Sequence, residues 1–383
     1  MDSHTQTDKK ISSQKSRRDF LRTATLAGAS AGVLGFPAVM RAQAATPIKV
    51  NIQTAWTVGT IGYNKFQEFC REVTEATEGK VQLEGFQSGS IVETFQMFDA
   101  VKAGVLDAMH CFDIYWQGKI PVATFLSSYP FGPDCPDQWE TWYHELGGIH
   151  IAKEAYGRHN MHYIGPIHHD DSLIHSRVPM RSFEDFKDRK IRFPEGIIAD
   201  FFRTAGVSTA TLPAHEIFRA LESGSIDATD YLGADINHRM GFGKIAKYII
   251  MGPPSRPCLH QPADIMSIEV NMNKWLRIPK QYQQMITLAA RKHAFDHYTA
   301  IQAADLTAFE KLQNEDGVEL IRLTDADIEK FKPFAPPTWV KWAKKSTLSM
   351  KAFKSQFEFM KSAKIGTITS REMVDLQGRP LIF

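Results

Sequence analysis

The sequence predicts an α/β fold arranged in two lobes. Strand-like segments alternate with helix-like segments from Ile48 onward: Ile48–Ile52, Val81–Phe86 and Leu106–Phe112 are each separated by a helical stretch, which is typical of a parallel-type sheet. About 340 residues follow the first 44, enough for two lobes with a well-buried core. A later strand at Ala263–Met272 is interpreted as returning to the first lobe, so that each lobe is discontinuous.

Residues 1–44 are predicted to be a twin-arginine signal peptide. Ser16–Arg22 contains the paired arginines, Ala24–Val39 is a modestly apolar stretch, and Ala42-Gln43-Ala44 is a small-x-small cleavage site. An N-terminal membrane helix is less favoured, because this stretch is short and broken by glycine and proline. The pattern predicts a mature chain that starts near Ala45 in a bacterial periplasm.

Composition and motifs exclude several classes of function. Residues 1–44 hold seven of the 45 basic and three of the 43 acidic residues, so the remainder has a formal net charge of −2. This balance does not favour nucleic acid or an anionic membrane as a partner. The chain has no G-x-S-x-G elbow, P-loop, dinucleotide fingerprint or H-E-x-x-H motif. The four cysteines form no C-x-x-C pair, and a disulfide between Cys135 and Cys258 is left open.

Loops from the first lobe are expected to face a cleft. Ligands of such sheets sit beyond the carboxyl ends of the strands, which places the loops after Trp56, Gln87 and Phe112 around one opening. Trp56, Tyr115 and Trp116 are candidates to line it, although each could equally be a core aromatic.

One arginine stands out in the second lobe. Lys190–Phe193 reads as a short buried strand with Arg192 between two apolar residues, and Ile226–Tyr231 reads as a second strand that ends in Asp230 and Tyr231. Two helices are predicted between these strands.

This stretch, from Ser182 to Tyr231, resembles the extracytoplasmic binding subunits of tripartite ATP-independent periplasmic (TRAP) transporters. Their pattern S-x-E-D-L-K-G-x-K-I-R is kept except for Phe186 and Asp188, and Asp230 replaces a glutamate. Segments of the first lobe look like the subgroup that binds 2-oxo acids and related monocarboxylates: Gln53–Trp56, Asp99–Asp107, Tyr115–Lys119 and Pro130–Gly132. The resemblance implies a type II periplasmic binding protein, with a hinge between two discontinuous α/β lobes and long C-terminal helices.

The resemblance also implies the site. Arg192 would pair with the solute carboxylate, and Tyr231, Tyr115, Trp56 and Asp171 would surround the solute. Asp171, Asp230 and the Tyr231 carbonyl would hold a cation that bridges protein and solute, with Asp264 as a further candidate ligand. Asp171 stands where 2-oxo-acid binders carry glutamine, and Tyr231 stands where they carry tryptophan, so the exact acid is left open.

A charge count favours calcium as this cation, with sodium second. If Arg192, Asp171, Asp230 and a monocarboxylate share one cavity, two negative charges remain uncompensated, and a divalent ion would neutralise them. Oxygen ligands suit a hard cation. No organic cofactor is expected.

The resemblance implies residue ranges and partners as well. Lobe I is predicted at 45–167 plus 263–300 and lobe II at 168–262, with a C-terminal helical region at 301–383. A long helix is predicted from Pro279 to about Asn314, and another from Thr338 to about Ser362. The second is so rich in aromatic residues that a homodimer is predicted. The other expected partners are a small organic acid and the TRAP membrane permease subunits.

Two alternatives belong to other classes of protein. His168, His169, Asp170 and Asp171 could serve a periplasmic metal-dependent hydrolase, although consecutive residues on a strand face opposite ways, which is poor metal-ligand spacing. A chemoreceptor ligand-binding protein without transport would use the same pocket as the transport subunit. A tightly held transition metal would distinguish the hydrolase from the binding protein, which is not expected to be an enzyme.

Overall fold

The computed structural model describes residues 46–212 and 214–383. The predicted signal peptide, residues 1–44, lies outside this described part of the chain. Across the described residues, no helix combines the length and apolar character that a membrane span requires.

Two separate sheets confirm the predicted α/β fold. Sheet I has the strand order β2-β1-β3-β10-β4 and sheet II the order β11-β9-β5-β8-β6-β7. Sheet I consists of β1 (Ile48–Thr54), β2 (Val81–Phe86), β3 (Ala108–Phe112), β4 (Met161–His168) and β10 (Ile265–Asn271). Sheet II consists of β5 (Leu173–Ser176), β6 (Lys190–Arg192), β7 (Ser208–Ala210), β8 (Ala228–Tyr231), β9 (Tyr248–Met251) and β11 (Glu319–Arg322).

Helices fill the connections between strands and the C-terminal region. Those between β1 and β9 are α1 (Ile61–Ala76), α2 (Met97–Ala103), α3 (Pro136–Glu145), α4 (Gly148–Gly157), α5 (Ile197–Thr204), α6 (Ala214–Ser223), α7 (Ala234–Arg239) and α8 (Phe242–Ile245). Those after β10 are α9 (Met272–Arg277), α10 (Lys280–Asn314), α11 (Asp325–Phe331), α12 (Ala335–Ala343) and α13 (Thr347–Ala363).

The returning strand is confirmed. β10 follows β9 of sheet II in the chain, yet it lies in sheet I, where it pairs antiparallel with β3 and β4. β1 pairs in parallel with β2 and with β3, as the alternation of strands and helices predicted. The chain therefore crosses between the sheets three times: first at residues 169–172, then at residues 252–264, and a third time through residues 272–318, which lead from β10 to β11. The residue limits predicted for the lobes stay a prediction.

The C-terminal region differs from the sequence prediction at one helix. The helix predicted from Thr338 to Ser362 is two helices, α12 and α13, because the Ser346 hydroxyl accepts from the Ser349 amide and starts a new helix there. The region also contains a short strand, β11, which pairs with β9 at the edge of sheet II.

The aromatic residues of α12 and α13 are covered by their own chain. Trp339, Trp342, Phe353 and Phe357 are all buried, and the Trp339 indole donates to the Pro130 carbonyl. The argument that a second subunit is needed to cover them was therefore wrong, and the homodimer remains only a prediction. The four cysteines are free.

A pair of buried carboxyl groups lies where the chain first crosses between the sheets. Asp170 belongs to this crossing and Asp305 to α10, which packs on both β4 and α7. The two carboxyls face each other, and Asp305 Oδ1 also accepts from the Asp235 amide at 2.6 Å. Burial and the Asp170 carboxyl raise the pKa of Asp305 to about 9, so one of the two groups is protonated at neutral pH.

Asp305→Asn is expected to flatten the pH dependence of stability. The folded state keeps a proton on Asp305 up to its raised pKa, whereas the unfolded chain releases that proton near pH ~4, so wild-type stability falls as pH rises through this window. Asparagine imitates the protonated carboxyl without titrating. We expect the wild-type melting temperature to drop more between pH ~5 and ~9 than that of the variant. Glu310→Gln, an exposed change on the same helix, is the control. Equal slopes for all three proteins would contradict this account.

Candidate functional site

The strands of sheet II bring an arginine and a carboxylate to one edge. Arg192 ends β6, and Asp230 and Tyr231 end β8, which is the parallel neighbour of β6. Parallel neighbours present their carboxyl ends at the same edge of a sheet. The three residues line a small chamber of about 30 Å³. We call it the inner chamber; its walls also include Phe112, Ile114, Tyr115, Ser172, Pro194, Leu232, Gln261 and Asp264.

Backbone carbonyls hold the Arg192 side chain in position. Its Nε donates to the Leu212 carbonyl at 3.0 Å and its Nη1 to the Asp230 carbonyl at 3.0 Å. The guanidinium is 7% exposed and lies 5.8 Å from the Tyr231 ring centre. Nη1 is also 3.8 Å from Asp230 Oδ2. A buried guanidinium fixed in this way is ready to receive an anion.

Asp230 has a partner that the sequence did not reveal. The His260 Nε2 lies 2.6 Å from Asp230 Oδ1, and both side chains are buried. Burial alone would lower the pKa of His260, but Cys258 and the Asp230 carboxylate raise it to about 10. His260 lies in the second crossing, 30 residues after Asp230. No motif or periodicity marked it.

Asp264 reaches the inner chamber from the same crossing. Its Oδ1 accepts from the Ser127 hydroxyl at 2.9 Å and from the Ile265 amide at 2.8 Å. Burial raises the pKa of Asp264 to about 6. Asp230, Tyr231 and Asp264, three of the four predicted cation ligands, therefore line one chamber.

Asp171 lies elsewhere. It lines a different cavity together with Asp134, Arg256 and Tyr298, whereas the next residue, Ser172, lines the inner chamber. Burial and the Asp305 carboxyl raise the pKa of Asp171 to about 6. The charge count that favoured calcium used Asp171 and lacked His260, so it no longer distinguishes a divalent from a monovalent ion.

The predicted aromatic residues divide between the cleft and the core. Tyr115 lines the inner chamber and two larger cavities that also include Arg192, of about 710 Å³ and about 640 Å³. Trp56 lines the cavity of about 640 Å³ and stacks on His169 at 5.0 Å. Trp116 is a core residue packed against Phe98.

A bridge joins residues from the two sides of the cleft. The Gln117 amide nitrogen donates to the Glu195 carbonyl, and its oxygen accepts from the Ile197 amide at 3.2 Å. Gly196 lies between them with φ of +116°, and a Cβ there would lie 1.8 Å from Gln117 Nε2. Only glycine adopts this backbone readily and leaves room for the bridge.

The residues proposed for a hydrolase face different surroundings. His168 Nε2 pairs with Glu140 at 2.9 Å, whereas His169 pairs with Asp170 and stacks on Trp56, and Asp170 also faces Asp305. Within residues 46–212 and 214–383, no group of three or more His, Cys, Asp or Glu side chains could hold a metal ion. The cluster read from the sequence is thus not a shared site.

Two α/β sheets joined by three crossings, with a buried arginine at the strand ends, have the architecture of a two-lobed solute-binding protein. The family model described as bacterial extracellular solute-binding protein, family 7 (DctP), matches residues 52–345. The chain belongs to this family, which supplies the binding subunits of TRAP transporters.

Curated relatives agree with this assignment. A monocarboxylate 2-oxoacid-binding periplasmic protein of Nostoc is 27% identical over 299 residues, which cover 76% of this chain and 80% of the relative. The sialic acid-binding protein SiaP of Vibrio cholerae is 21% identical over 80% of this chain and 91% of its own. Both are named as periplasmic proteins, which confirms the predicted location in the periplasm.

Solved structures confirm the fold. A TRAP solute-binding protein of Pseudoalteromonas atlantica, with bound sodium and pyruvate, gives a TM-score of 0.75 at 22% identity and covers 83% of this chain and 95% of its own. One from Colwellia psychrerythraea, with bound calcium and pyruvate, gives 0.75 at 22% identity over 82% and 94%. Both ions predicted from the sequence thus occur in proteins of this fold.

Gly196→Ala is expected to weaken solute binding through the bridge. The added Cβ would displace the Gln117 amide and strain a backbone of positive φ, so the bridged arrangement becomes less favourable. We expect several-fold weaker binding, measured by titration calorimetry with pyruvate, and little change in far-ultraviolet circular dichroism. Gly157→Ala, at an exposed helical glycine with open space around it, is the control. Unchanged affinity in Gly196→Ala would show that the bridge is dispensable.

Proposed function

We propose that this protein captures a small 2-oxo or 2-hydroxy monocarboxylate in the periplasm and delivers it to TRAP permease subunits, without catalysing a reaction. The observation that carries the proposal is Arg192. It is the buried cation of the inner chamber and lines all three cavities of the cleft. The family and the 2-oxoacid-binding relative support the same class of solute.

Arg192 receives the solute carboxylate. A carboxylate accepts best from a guanidinium in two parallel hydrogen bonds, and the two backbone carbonyls that hold Arg192 keep it from swinging away. Tyr231 and Tyr115 contribute walls on either side, and Trp56 lies further out in the cavity of about 640 Å³. Asp171 has no part in this proposal, because it lines another cavity.

A bound cation also fits these residues. Only one carboxylate oxygen of Asp230 pairs with His260, so the other can contact a cation. Asp264 supplies a second carboxylate, and the Tyr231 carbonyl supplies a neutral oxygen. An all-oxygen set of this kind suits sodium or calcium, which would join the solute to the protein when bound. Neighbours of the same fold contain one or the other ion with pyruvate.

Two kinds of protein partner are proposed: the TRAP permease subunits, which the family supports, and a second copy of this chain. The permease is the proposed destination of the solute. The lobes at 45–167 plus 263–300 and at 168–262 are proposed to close on the solute about the first two crossings. A homodimer is a further proposal. It is supported by a neighbour from Bordetella bronchiseptica described as a mixed occupancy dimer with calcium and picolinate.

Arg192→Lys is expected to keep the fold and to lose affinity. A lysine ammonium cannot replace the guanidinium fork, so we expect pyruvate to bind at least ~10-fold more weakly by titration calorimetry. Arg158→Lys, an exposed change immediately after α4, should bind as wild type does. A wild-type affinity in Arg192→Lys would remove this arginine from the site and with it the proposed function.

Removal of cations tests the second part of the site. Pyruvate affinity is expected to fall when the protein is dialysed against a chelator in a choline buffer, and to return on addition of sodium or calcium chloride. Asp264→Asn should bind more weakly and respond less to the added ion, whereas the exposed Asp188→Asn should behave as wild type. Equal affinity with and without the ions would rule out a bridging cation.

A further inference from the structure

The cavity of about 710 Å³ is too large for the smallest acids of the proposed class. Its lining includes Arg192, so a solute whose carboxylate binds Arg192 has room to extend into this space. Pockets of ~300–1,000 Å³ accommodate drug-sized ligands, whereas the inner chamber, at about 30 Å³, has room for only a few water-sized groups, since ~10–15 Å³ of such space holds one water. The inner chamber therefore accepts only the polar end of a solute. We call the larger space the tail cavity.

Apolar surface dominates the tail cavity. Six of its lining residues are aromatic or aliphatic and come from several parts of the chain: Phe95, Ile114, Tyr115, Pro194, Leu212 and Trp342. Trp342 belongs to α12, so the C-terminal region completes a wall that the two sheets alone would leave open. Apolar surface of this extent gains free energy when a solute displaces water from it.

The acidic side chains of the tail cavity already have partners. Glu195 pairs with Arg203 at 3.0 Å and accepts from the Thr211 hydroxyl at 2.8 Å. Asp200 accepts from Arg203 at 2.7 Å and from the Trp342 indole at 2.9 Å. Because these carboxylates are already paired, the surface that the walls present to a solute is mainly apolar.

Two further polar side chains of the wall contact neighbouring residues. Gln117 is held in the bridge to Glu195 and Ile197, and Lys345 lies over the Trp342 ring. The hydroxyl groups of a sugar acid need several hydrogen-bond partners, and some of them would stay unpaired in this cavity. An apolar side chain has no such groups to pair.

We infer that the solute is a 2-oxo or 2-hydroxy monocarboxylate with a bulky apolar side chain, aromatic or branched, and that the tail cavity binds this side chain. The inference rests on the proposed function, because it takes Arg192 as the carboxylate partner. It adds the specificity-determining residues, chiefly Leu212, Trp342 and Ile114, to the site.

The test compares phenylpyruvate with pyruvate by titration calorimetry on the mature protein in sodium and calcium chloride. A single methylene in an apolar pocket changes binding about 10-fold or more, so phenylpyruvate is expected to bind at least ~10-fold more tightly. Equal or weaker binding of phenylpyruvate, with Arg192-dependent binding of pyruvate retained, would overturn the inference and leave the proposed function standing. Absence of binding for both acids would overturn both.

A substitution at Gly118 tests whether the apolar side chain of the solute binds in the tail cavity. Gly118 lines the tail cavity, and a Cβ there would meet nothing within 4 Å, so Gly118→Leu adds bulk without displacing a neighbour. We expect this variant to bind phenylpyruvate about 10-fold more weakly than wild type and pyruvate almost unchanged. Gly157→Leu, at an exposed glycine with equal space in α4, is the matched control.

The outcomes of this test are distinct. Gly118→Leu could weaken the binding of phenylpyruvate and pyruvate equally. The added leucine would then act on the carboxylate end that both acids share, or on the fold, and the apolar group would not bind in the tail cavity. If Gly118→Leu and Gly157→Leu bind phenylpyruvate alike, the inference fails as well. Phe95→Ala removes an exposed ring from the same wall. It should weaken the binding of phenylpyruvate and leave the binding of pyruvate unchanged.

Discussion

The site depends on one buried positive charge held by neutral backbone oxygens. Burying a guanidinium costs several kcal/mol unless its donors are satisfied, and here the Leu212 and Asp230 carbonyls accept two of its hydrogen bonds. Because neither oxygen carries a full charge, the arginine keeps most of its attraction for an anion. A tight ion pair with Asp230 would cancel that attraction, but Asp230 Oδ2 stands off at 3.8 Å while Oδ1 is taken by His260.

The connections between the sheets explain why this arrangement is possible. The first two crossings carry buried ionisable groups: Asp170 is in the first, and His260 and Asp264 are in the second. The second crossing thus supplies the partner of Asp230 and one carboxylate of the inner chamber. In the proposed function this crossing would act as a hinge, and it would link the relative position of the two sheets to the charge balance around the solute.

Local patterns in the sequence identified the elements that lie within one stretch of chain. The short strand with Arg192, the strand that ends in Asp230, the returning strand β10 and the long helix α10 are all present. Each has a signal within about ten residues: an apolar alternation, a glycine stop, or a proline at a helix start. The break between α12 and α13 was missed because Ser346 gives only a weak helix-start signal inside an otherwise continuous aromatic pattern.

The sequence by itself determined the fold class, the family and the arginine at the end of β6, because these depend on residues close together in the chain. Only the tertiary structure decided which distant groups surround that arginine. It placed Asp171 in a different cavity although only Ser172 separates it from β5, and it brought His260 and Asp264 to Asp230 through a crossing with no regular pattern. The direction of a side chain at a sheet edge or in an irregular segment depends on packing against remote residues, and the local sequence contains no record of that packing.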